Sequence, residues 1–222
     1  MSAQLLFPDP LAAADVLVFA QRAARLGDGE VRLRAHGGTL ALTAATLAPQ
    51  TLMEATPTVL GMRFVKVDPE LECDLVVDAS SLVASADPRA ITLPETAVTA
   101  AWAGISPPRG AWEPVGVIDA STLAARAQRG ISAVAEAVPD AAGEDVVRLV
   151  RSQVWGRTDD ELSDLPRGVA FAAFALGFIA GEETATVHRS GAWTRVSLRR
   201  GHVLTRTSVR SGLTEVRATG AA

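Results

Sequence analysis

The sequence predicts an α+β fold, in which an antiparallel sheet built from hairpins packs against helices. The clearest evidence is Val31 to Ala45, VRLRAHGGTLALTAA, where apolar and polar residues alternate on both sides of Gly37-Gly38. Two alternating runs joined by two glycines are typical of a β-hairpin. Before it, Pro10 to Leu26 has apolar residues at helical spacing. Three further alternating runs near the C-terminus complete the prediction.

The remaining elements follow from the same periodicities. Between the two ends, the prolines and glycine of SPPRGAWEP, residues 106–114, predict a loop. The predicted strands are Met62 to Val67, Glu72 to Asp78, Ala90 to Leu93, Ala97 to Ile105, Thr184 to Arg189, Trp193 to Arg199 and His202 to Val209, and the further helices are Ala120 to Val138, Gly143 to Trp155 and Leu165 to Ala180.

Two internal echoes indicate pseudo-symmetry. A helix followed by a hairpin occurs at both ends of the chain, and an alignment with Phe19 opposite Phe174 places Gly37-Gly38 near Ser190-Gly191. The second echo pairs VVDASSL with VIDASTL, which ends at Leu123. We expect helix–hairpin units arranged around the helices of residues 120–155. A true duplication and a chance likeness both remain open.

Length and composition limit the class of protein. With 222 residues and 48% hydrophobic residues, the chain is long enough for a sizeable core, and we expect one domain over residues 1–222. Two lobes, 1–115 and 116–222, are the alternative. Basic residues are arginine except for Lys66, a composition typical of a GC-rich bacterial genome.

Several features bear on the compartment. Cys73 is the only cysteine, so an internal disulfide is impossible. The N-terminal stretch lacks a basic region and contains Asp9 and Asp15, unlike a signal peptide. The longest apolar run, Gly168 to Gly181, is shorter than the roughly 20 residues that span a bilayer. We therefore expect a cytoplasmic protein without a membrane segment.

His36-Gly37-Gly38 resembles the run that supplies an oxyanion-hole amide in some esterases. That role also requires a nucleophile elbow, Gly-x-Ser-x-Gly, and the sequence contains none. The alternation on both sides favours a hairpin turn with His36 exposed beside it.

No metal or cofactor is expected. The histidines His36, His188 and His202 are too far apart for a ligand motif, although His188 and His202 could share one sheet. The acidic run from Asp159 to Asp164 lacks the glycine of a calcium loop, which favours a solvated connection. Nucleotide-binding glycine motifs are also absent from the sequence.

The C-terminal arginines are the strongest physical lead to a ligand. From Arg189 to the end there are seven arginines and one acid, Glu215, although the whole chain has a net charge of −4. On paired strands their side chains would form a basic face able to bind phosphate groups or nucleic acid. A solvated face, or pairing with acidic parts of the chain or of a second subunit, is the alternative. The candidate ligand-binding residues are Arg195, Arg199, His202, Arg206 and Arg210, with Leu204 interrupting the face.

The proline-rich loop adds a second candidate. It holds Arg109 and Trp112, residue types that often dominate protein contacts. A tryptophan that closes over the core is the alternative interpretation.

Together these observations predict a non-enzymatic interaction or assembly module that associates with itself or with a protein partner. Catalytic residues are not assigned. The first alternative is a binder of a phosphorylated small molecule or, less favoured by the net charge, of nucleic acid through the arginine face. The second is an enzyme of unknown class that uses Arg109 or the histidines.

Overall fold

The computed structural model describes residues 4–51 and 54–206. It confirms the α+β class, with antiparallel sheets and packed helices. In chain order the elements of these residues are β1 (Gln4–Leu6), α1 (Pro10–Ala23), β2 (Glu30–His36), β3 (Thr39–Leu47), β4 (Thr58–Lys66), β5 (Cys73–Asp78), β6 (Val83–Ala84), β7 (Ala90–Thr92), β8 (Glu113–Asp119), α2 (Ala120–Ala137), α3 (Glu144–Gly156), β9 (Thr158–Asp159), β10 (Leu165–Pro166), α4 (Gly168–Ala175), β11 (Thr184–Ser190), β12 (Trp193–Leu198) and β13 (Gly201–Arg206).

The main sheet has eight strands in the order β5-β2-β3-β4-β13-β12-β11-β8, and every neighbouring pair is antiparallel. The predicted hairpin is β2 and β3. Its turn residues Gly37 and Gly38 have φ of 56° and 76°, which only glycine adopts without strain. Smaller sheets, β1-β7-β6 and β10-β9, lie beside it.

The main sheet is pseudo-symmetric about the β4–β13 pair. On either side of that pair the hairpins β2-β3 and β12-β11 occupy matching places, and β5 and β8 form the two edges. Both predicted echoes therefore correspond to matching strands. The centre of the arrangement is wrong in the prediction, because it is a strand pair and not the helices of residues 120–155.

The alignment of the echoes is also wrong in detail. The second turn is Gly191-Ala192, between β11 and β12, so Gly37 matches Gly191 and the register differs by one residue. Phe19 is buried, whereas Phe174 is 39% exposed. The aromatic residue that shares the core with Phe19 is Phe178.

Helices cover one face of the main sheet. Helices α1 and α4 contact its central strands, while α2 packs on α4 and α3 contacts α2 and α4. Alternation along β2 sends Val31, Leu33 and Ala35 into this core and leaves Arg32 and Arg34 on the other side. We call the two sides the helix-covered face and the open face.

Local chemistry sets the ends of the helices. Helix α1 begins at Pro10 because the Asp9 side chain accepts a hydrogen bond from the amide of Ala12 at 2.9 Å. Helix α4 ends at Ala175, before the predicted Ala180. Gly177 has φ of 70° there, a left-handed conformation that terminates a helix.

The predicted strand from Ala97 to Ile105 is wrong. These residues belong to a connecting segment, residues 93–112, which holds a 3₁₀ turn at Ala101–Gly104. The amide of Val98 donates to the carbonyl of Val76 at 2.8 Å, so the segment touches the sheet without forming a ladder. Residues 113–119, in contrast, extend beyond the predicted loop and form the edge strand β8.

The acidic run after α3 also differs from the prediction. Asp159 is 4% exposed and lies between two guanidinium groups. Its carboxylate is 3.5 Å from Nε of Arg126 and 3.1 Å from Nε of Arg167. The connection is therefore fixed by a buried ion cluster and is not merely solvated.

The part of the chain described here contains no helix long and apolar enough to cross a membrane. The strand predicted for His202 to Val209 is confirmed as far as Arg206, and its last residues lie outside the described residues.

Candidate functional site

The connecting segment crosses the open face of the main sheet, and Arg32 on β2 holds it there. The Arg32 guanidinium donates to the carbonyl of Ala103 at 2.7 Å and to Oγ of Ser106 at 3.2 Å. It also forms a bidentate pair with Asp74 on β5, at 2.7 and 2.8 Å. These hydrogen bonds lower the pKa of Asp74 below its usual value. One side chain thus joins two strands to the segment.

Trp102 of the connecting segment provides a second attachment to the sheet. Its indole Nε1 donates to Oε2 of Glu30 at 2.9 Å, while its ring packs in a small apolar cluster on the open face. The other buried members of the cluster are Leu60, Ala100, Trp193 and Leu204. This cluster is separate from the core under the helices, so both faces of the central strands are covered in part.

A groove of about 400 Å³ lies between the connecting segment and the sheet. Its floor is apolar, with Leu60, Met62 and Phe64 from alternate positions of β4 and Leu204 from the neighbouring strand β13. The Phe64 side chain is 51% exposed. An exposed aromatic on a groove floor is typical of a contact site.

Arg195 and Trp112 form one wall of the groove. The central carbon of the Arg195 guanidinium lies 4.6 Å from the centroid of the Trp112 ring, a cation–π contact. The Trp112 indole donates to the carbonyl of Pro108 at 3.2 Å. The proline-rich loop is thus attached to the strand that carries the arginine.

His202 lies beside Arg195 and is held by two contacts. Its Nδ1 is 2.9 Å from Oγ of Ser197, and its ring meets Phe64 edge-on with centroids 5.6 Å apart. Burial, and secondarily the charge of Arg195, lower the pKa of His202 below its usual value. The ring is therefore neutral near pH 7.

The groove has an excess of positive charge. Arg34, Arg109 and Arg195 line it together with His36 and His202. Asp74 and Glu72 lie near its rim, but Asp74 pairs with Arg32 and Arg34, and Glu72 is 2.8 Å from Nδ1 of His36. Among the described residues, no carboxylate pairs with Arg109 or Arg195.

The structure brings together four of the residues singled out from the sequence. Arg109 and Trp112 come from the proline-rich loop, and Arg195 and His202 come from the C-terminal strands. The sequence placed them in two separate candidate sites. The contact between Arg195 and Trp112 joins these two sites into one.

Arg199 and Arg206, two other arginines predicted as ligand-binding residues, do not line this groove. Arg199 follows β12 and donates to the carbonyl of Ala180 at 3.1 Å, while its Nε lies 3.5 Å from Glu183. Arg206 lies at the end of β13, opposite Trp193. Arg210 lies outside the described residues.

Sequence reasoning missed the floor of the groove and its basic far side. The sequence of β4, TVLGMRFVK, indicates this floor, because it has apolar residues on both faces of the strand. Such a strand must be covered on both sides or expose an apolar surface. The far side of the groove is formed by Arg34 and His36 of the hairpin.

The described residues bring no set of metal ligands together around the histidines. In the described ranges there is no group of three or more His, Cys, Asp and Glu side chains that could hold a metal ion. Ser197 and His202 form a hydrogen-bonded pair, but within those ranges no carboxylate bonds the His202 ring to orient it as in a triad.

Two families match this chain by sequence. Residues 1–104 match Domain of unknown function (DUF8010), and residues 107–210 match Domain of unknown function (DUF8185). The boundary between them falls within the connecting segment. Among curated proteins, none matches the sequence significantly.

Solved structures show a clear likeness in fold. A DnaN sliding clamp (DNA polymerase III subunit beta) from Bartonella birtlesii, bound to griselimycin, has a TM-score of 0.50 with 14% identity, over 96% of this chain and 66% of that one. The chain has a sliding-clamp-like fold. A DNA polymerase sliding clamp from Caulobacter crescentus matches with a TM-score of 0.47 and 14% identity, over 99% of this chain and 69% of that one.

The DNA polymerase III beta subunit from Thermotoga maritima matches with a TM-score of 0.46 and 12% identity, over 91% of this chain and 64% of that one. The chain thus spans about two thirds of the length of these clamps. The pseudo-repeated units of the main sheet agree with the sliding-clamp-like fold.

Proposed function

We propose that this protein is a non-enzymatic interaction module that binds an extended segment of a partner protein in the open-face groove. The observation that carries the proposal is the combination of an apolar floor, Leu60, Met62 and Phe64, with the unpaired guanidinium groups of Arg109 and Arg195. Apolar anchors supply the binding free energy at such sites, and charges select the partner.

The dimensions of the groove support a peptide as its occupant. Its lining residues come from five neighbouring strands, β2, β3, β4, β13 and β12. Since neighbouring strands lie about 4.8 Å apart, the groove crosses roughly 19 Å of sheet. An extended chain covers about 3.4 Å per residue, so about six residues fill this length.

Charge complementarity favours a segment from another protein that carries acidic residues. The groove is basic, whereas residues 207–222 of this chain contain Arg210 and Arg217 and only one acid, Glu215. The chain's own C-terminal residues therefore match the charge of the groove instead of complementing it.

A library of displayed random peptides tests the proposal. Peptides selected on the wild-type protein should lose binding to the Ala41→Trp variant, because Ala41 lies on the groove floor opposite Phe64 in the strand register. Leu11→Trp is the control, since Leu11 is 82% exposed on α1 and does not line the groove. Equal binding to both variants would contradict the proposal.

The same assay tests the nucleic-acid alternative, with a single-stranded oligonucleotide as the competing ligand. Under our proposal, a single-stranded oligonucleotide does not displace the selected peptides at physiological salt. Direct binding of the oligonucleotide that weakens as salt rises, and is lost in Arg199→Ala and Arg206→Ala, would favour the nucleic-acid alternative instead.

We also propose that the protein self-associates through β8. This strand is an edge of the main sheet, and Val115 and Val117 are half or more exposed on it. An exposed edge strand is a ready site for pairing with another chain. Analytical ultracentrifugation should show a concentration-dependent dimer that Val117→Lys weakens. A strict monomer at all concentrations would contradict this second proposal.

A further inference from the structure

Arg195 is a charged group without an acceptor in the part of the chain that the structure describes. Its guanidinium contacts the ring of Trp112, but none of its N–H groups reaches an oxygen there. Its Nε is fully buried and has no hydrogen-bond partner. A buried donor without a partner is destabilising unless something outside the chain satisfies it.

A second unpaired nitrogen lies next to it. His188 on β11 is directly opposite Arg195 on β12, and its Nδ1 is also buried without a partner. Side chains at opposed positions of an antiparallel pair have Cβ atoms about 5 Å apart. Two of the three buried side-chain polar atoms without a partner in the described residues therefore lie together on the open face, and the third, Oγ1 of Thr205, lies on the other side of β13.

Arg109 belongs to the same groove and approaches from the connecting segment. Two guanidinium groups thus border one groove without a pairing carboxylate in the described residues, while the rim acids Asp74 and Glu72 pair with Arg32 and His36. Guanidinium groups bind carboxylates through parallel hydrogen bonds with fixed geometry. The missing partner is an anionic acceptor.

We propose that Arg195 is a specificity-determining residue that binds the side-chain carboxylate of an Asp or Glu in the partner segment. Arg109 supplies a second donor from the connecting segment. This inference rests on the proposed function, because the same segment places its apolar side chains on Met62 and Phe64. The partner motif is therefore an acidic residue within a few positions of large apolar residues.

The arrangement also explains why Trp112 lies where it does. The ring covers the Arg195 guanidinium on one side and removes it in part from water. A guanidinium with less water around it binds a carboxylate more strongly, since the competing solvent hydrogen bonds are fewer. Trp112 is a positioning residue for Arg195.

The experiment compares matched peptides and matched variants. A peptide selected from the random library is synthesised with its acidic residue as Glu and as Gln, and both are titrated calorimetrically into wild type, Arg195→Met and Arg200→Met. Arg200 is the control, since it is an exposed arginine in the turn between β12 and β13. The melting temperature of each variant reports whether it has folded.

We expect the Glu peptide to bind wild type and Arg200→Met alike and to bind Arg195→Met about tenfold or more weakly, the effect of losing a charged hydrogen bond. The Gln peptide should bind wild type and Arg195→Met equally. Arg195→Lys keeps the positive charge but loses the two parallel N–H donors of the guanidinium, so its affinity for the Glu peptide should lie between those of wild type and Arg195→Met.

The outcomes separate the two proposals. Suppose that the selected peptides fail to bind Ala41→Trp, but are not enriched in acidic residues and bind Arg195→Met as well as wild type. That result would overturn the carboxylate site and leave the proposed function of the groove standing. If no selected peptide depends on the groove, the proposed function fails, and the carboxylate site fails with it.

Discussion

The rings of Phe19 and Phe178 stack with their centroids 6.3 Å apart and their planes 15° apart. Phe19 belongs to α1, in the first half of the chain, and Phe178 follows α4, in the second. Beside them, Arg22 donates from Nη1 to the carbonyl of Leu176 at 2.8 Å. Since β4 and β13 also pair across the same division, the two halves share one core and one sheet.

The first prediction concerns cooperativity. If one core serves both halves, urea should unfold the chain in a single transition, with the same midpoint by tryptophan fluorescence and by far-ultraviolet circular dichroism. Phe178→Ala should lower the free energy of unfolding by about 3–5 kcal/mol and shift both signals together. Two separate transitions would instead support the two-lobed alternative.

The second prediction concerns a close approach between a strand and the end of a helix. A Cβ atom on Gly61 of β4 would lie 1.9 Å from Cδ1 of Leu176. Gly61→Ala should therefore force Leu176 to move and cost about 1–3 kcal/mol of stability. The control is Gly116→Ala on β8, where a Cβ meets no atom within 4 Å.

A double-mutant cycle tests that cause. If the clash is with Leu176, Gly61→Ala should lower the free energy of unfolding less in a Leu176→Ala background than in wild type. Additive losses measured by urea denaturation would show that Gly61 acts through something else, such as strand propensity.

How far the sequence predicts this molecule depends on whether the decisive signal is local. The hairpin at Gly37-Gly38 is local, since its alternation and its turn glycines lie within one short stretch. The sequence does not predict the edge strand β8, because Pro114 indicates a loop, whereas an edge strand in fact tolerates proline. The sequence predicts a solvated Asp159, because its partners Arg126 and Arg167 belong to other elements and approach it only in the folded chain.

The groove also depends on contacts between residues that are distant in the sequence, which local patterns do not predict. The sequence indicates Arg195 and Trp112 separately, each by its residue type and in its own segment. Their contact arises from the path of residues 93–112 across the open face, which Arg32 and Glu30 hold by long-range hydrogen bonds. Such a path is a tertiary property, and the sequence does not predict it.

The third prediction concerns the buried ion cluster at Asp159. The substitution Asp159→Asn removes the carboxylate that Arg126 and Arg167 share, while Arg126 keeps its ion pair with Glu161, so it should cost about 1–3 kcal/mol of the free energy of unfolding. The control is Asp160→Asn, since Asp160 is exposed and forms no ion pair within the described part of the chain. Equal melting temperatures for the two variants would contradict the structural role of Asp159.

The fourth prediction concerns the anchoring of the connecting segment. Arg32→Met removes the hydrogen bonds to Ala103 and Ser106, so trypsin should cleave after Arg109 roughly tenfold faster. Arg34→Met is the control, because Arg34 lies on the same strand as Arg32 and 3.7 Å from the Asp74 carboxylate but is not bonded to the segment. Mass spectrometry identifies the cleaved bond, and unchanged cleavage in Arg32→Met would show that other contacts hold the segment.

The fifth prediction concerns pH. Burial lowers the pKa of His202 below its usual 6.5, so between the two values the unfolded chain binds a proton that the folded chain does not. The stability that depends on neutral His202 is therefore complete above about pH 6.5 and is lost as the pH falls through the folded-state pKa. The free energy of unfolding by urea should decrease from about pH 7.5 to about pH 5.5, and His202→Gln should flatten that slope.

The control for this prediction is His36→Gln, which should retain the pH dependence of the free energy of unfolding, because His36 lies at the exposed end of β2. A slope unchanged by His202→Gln would mean that other groups in the protein set the acid sensitivity.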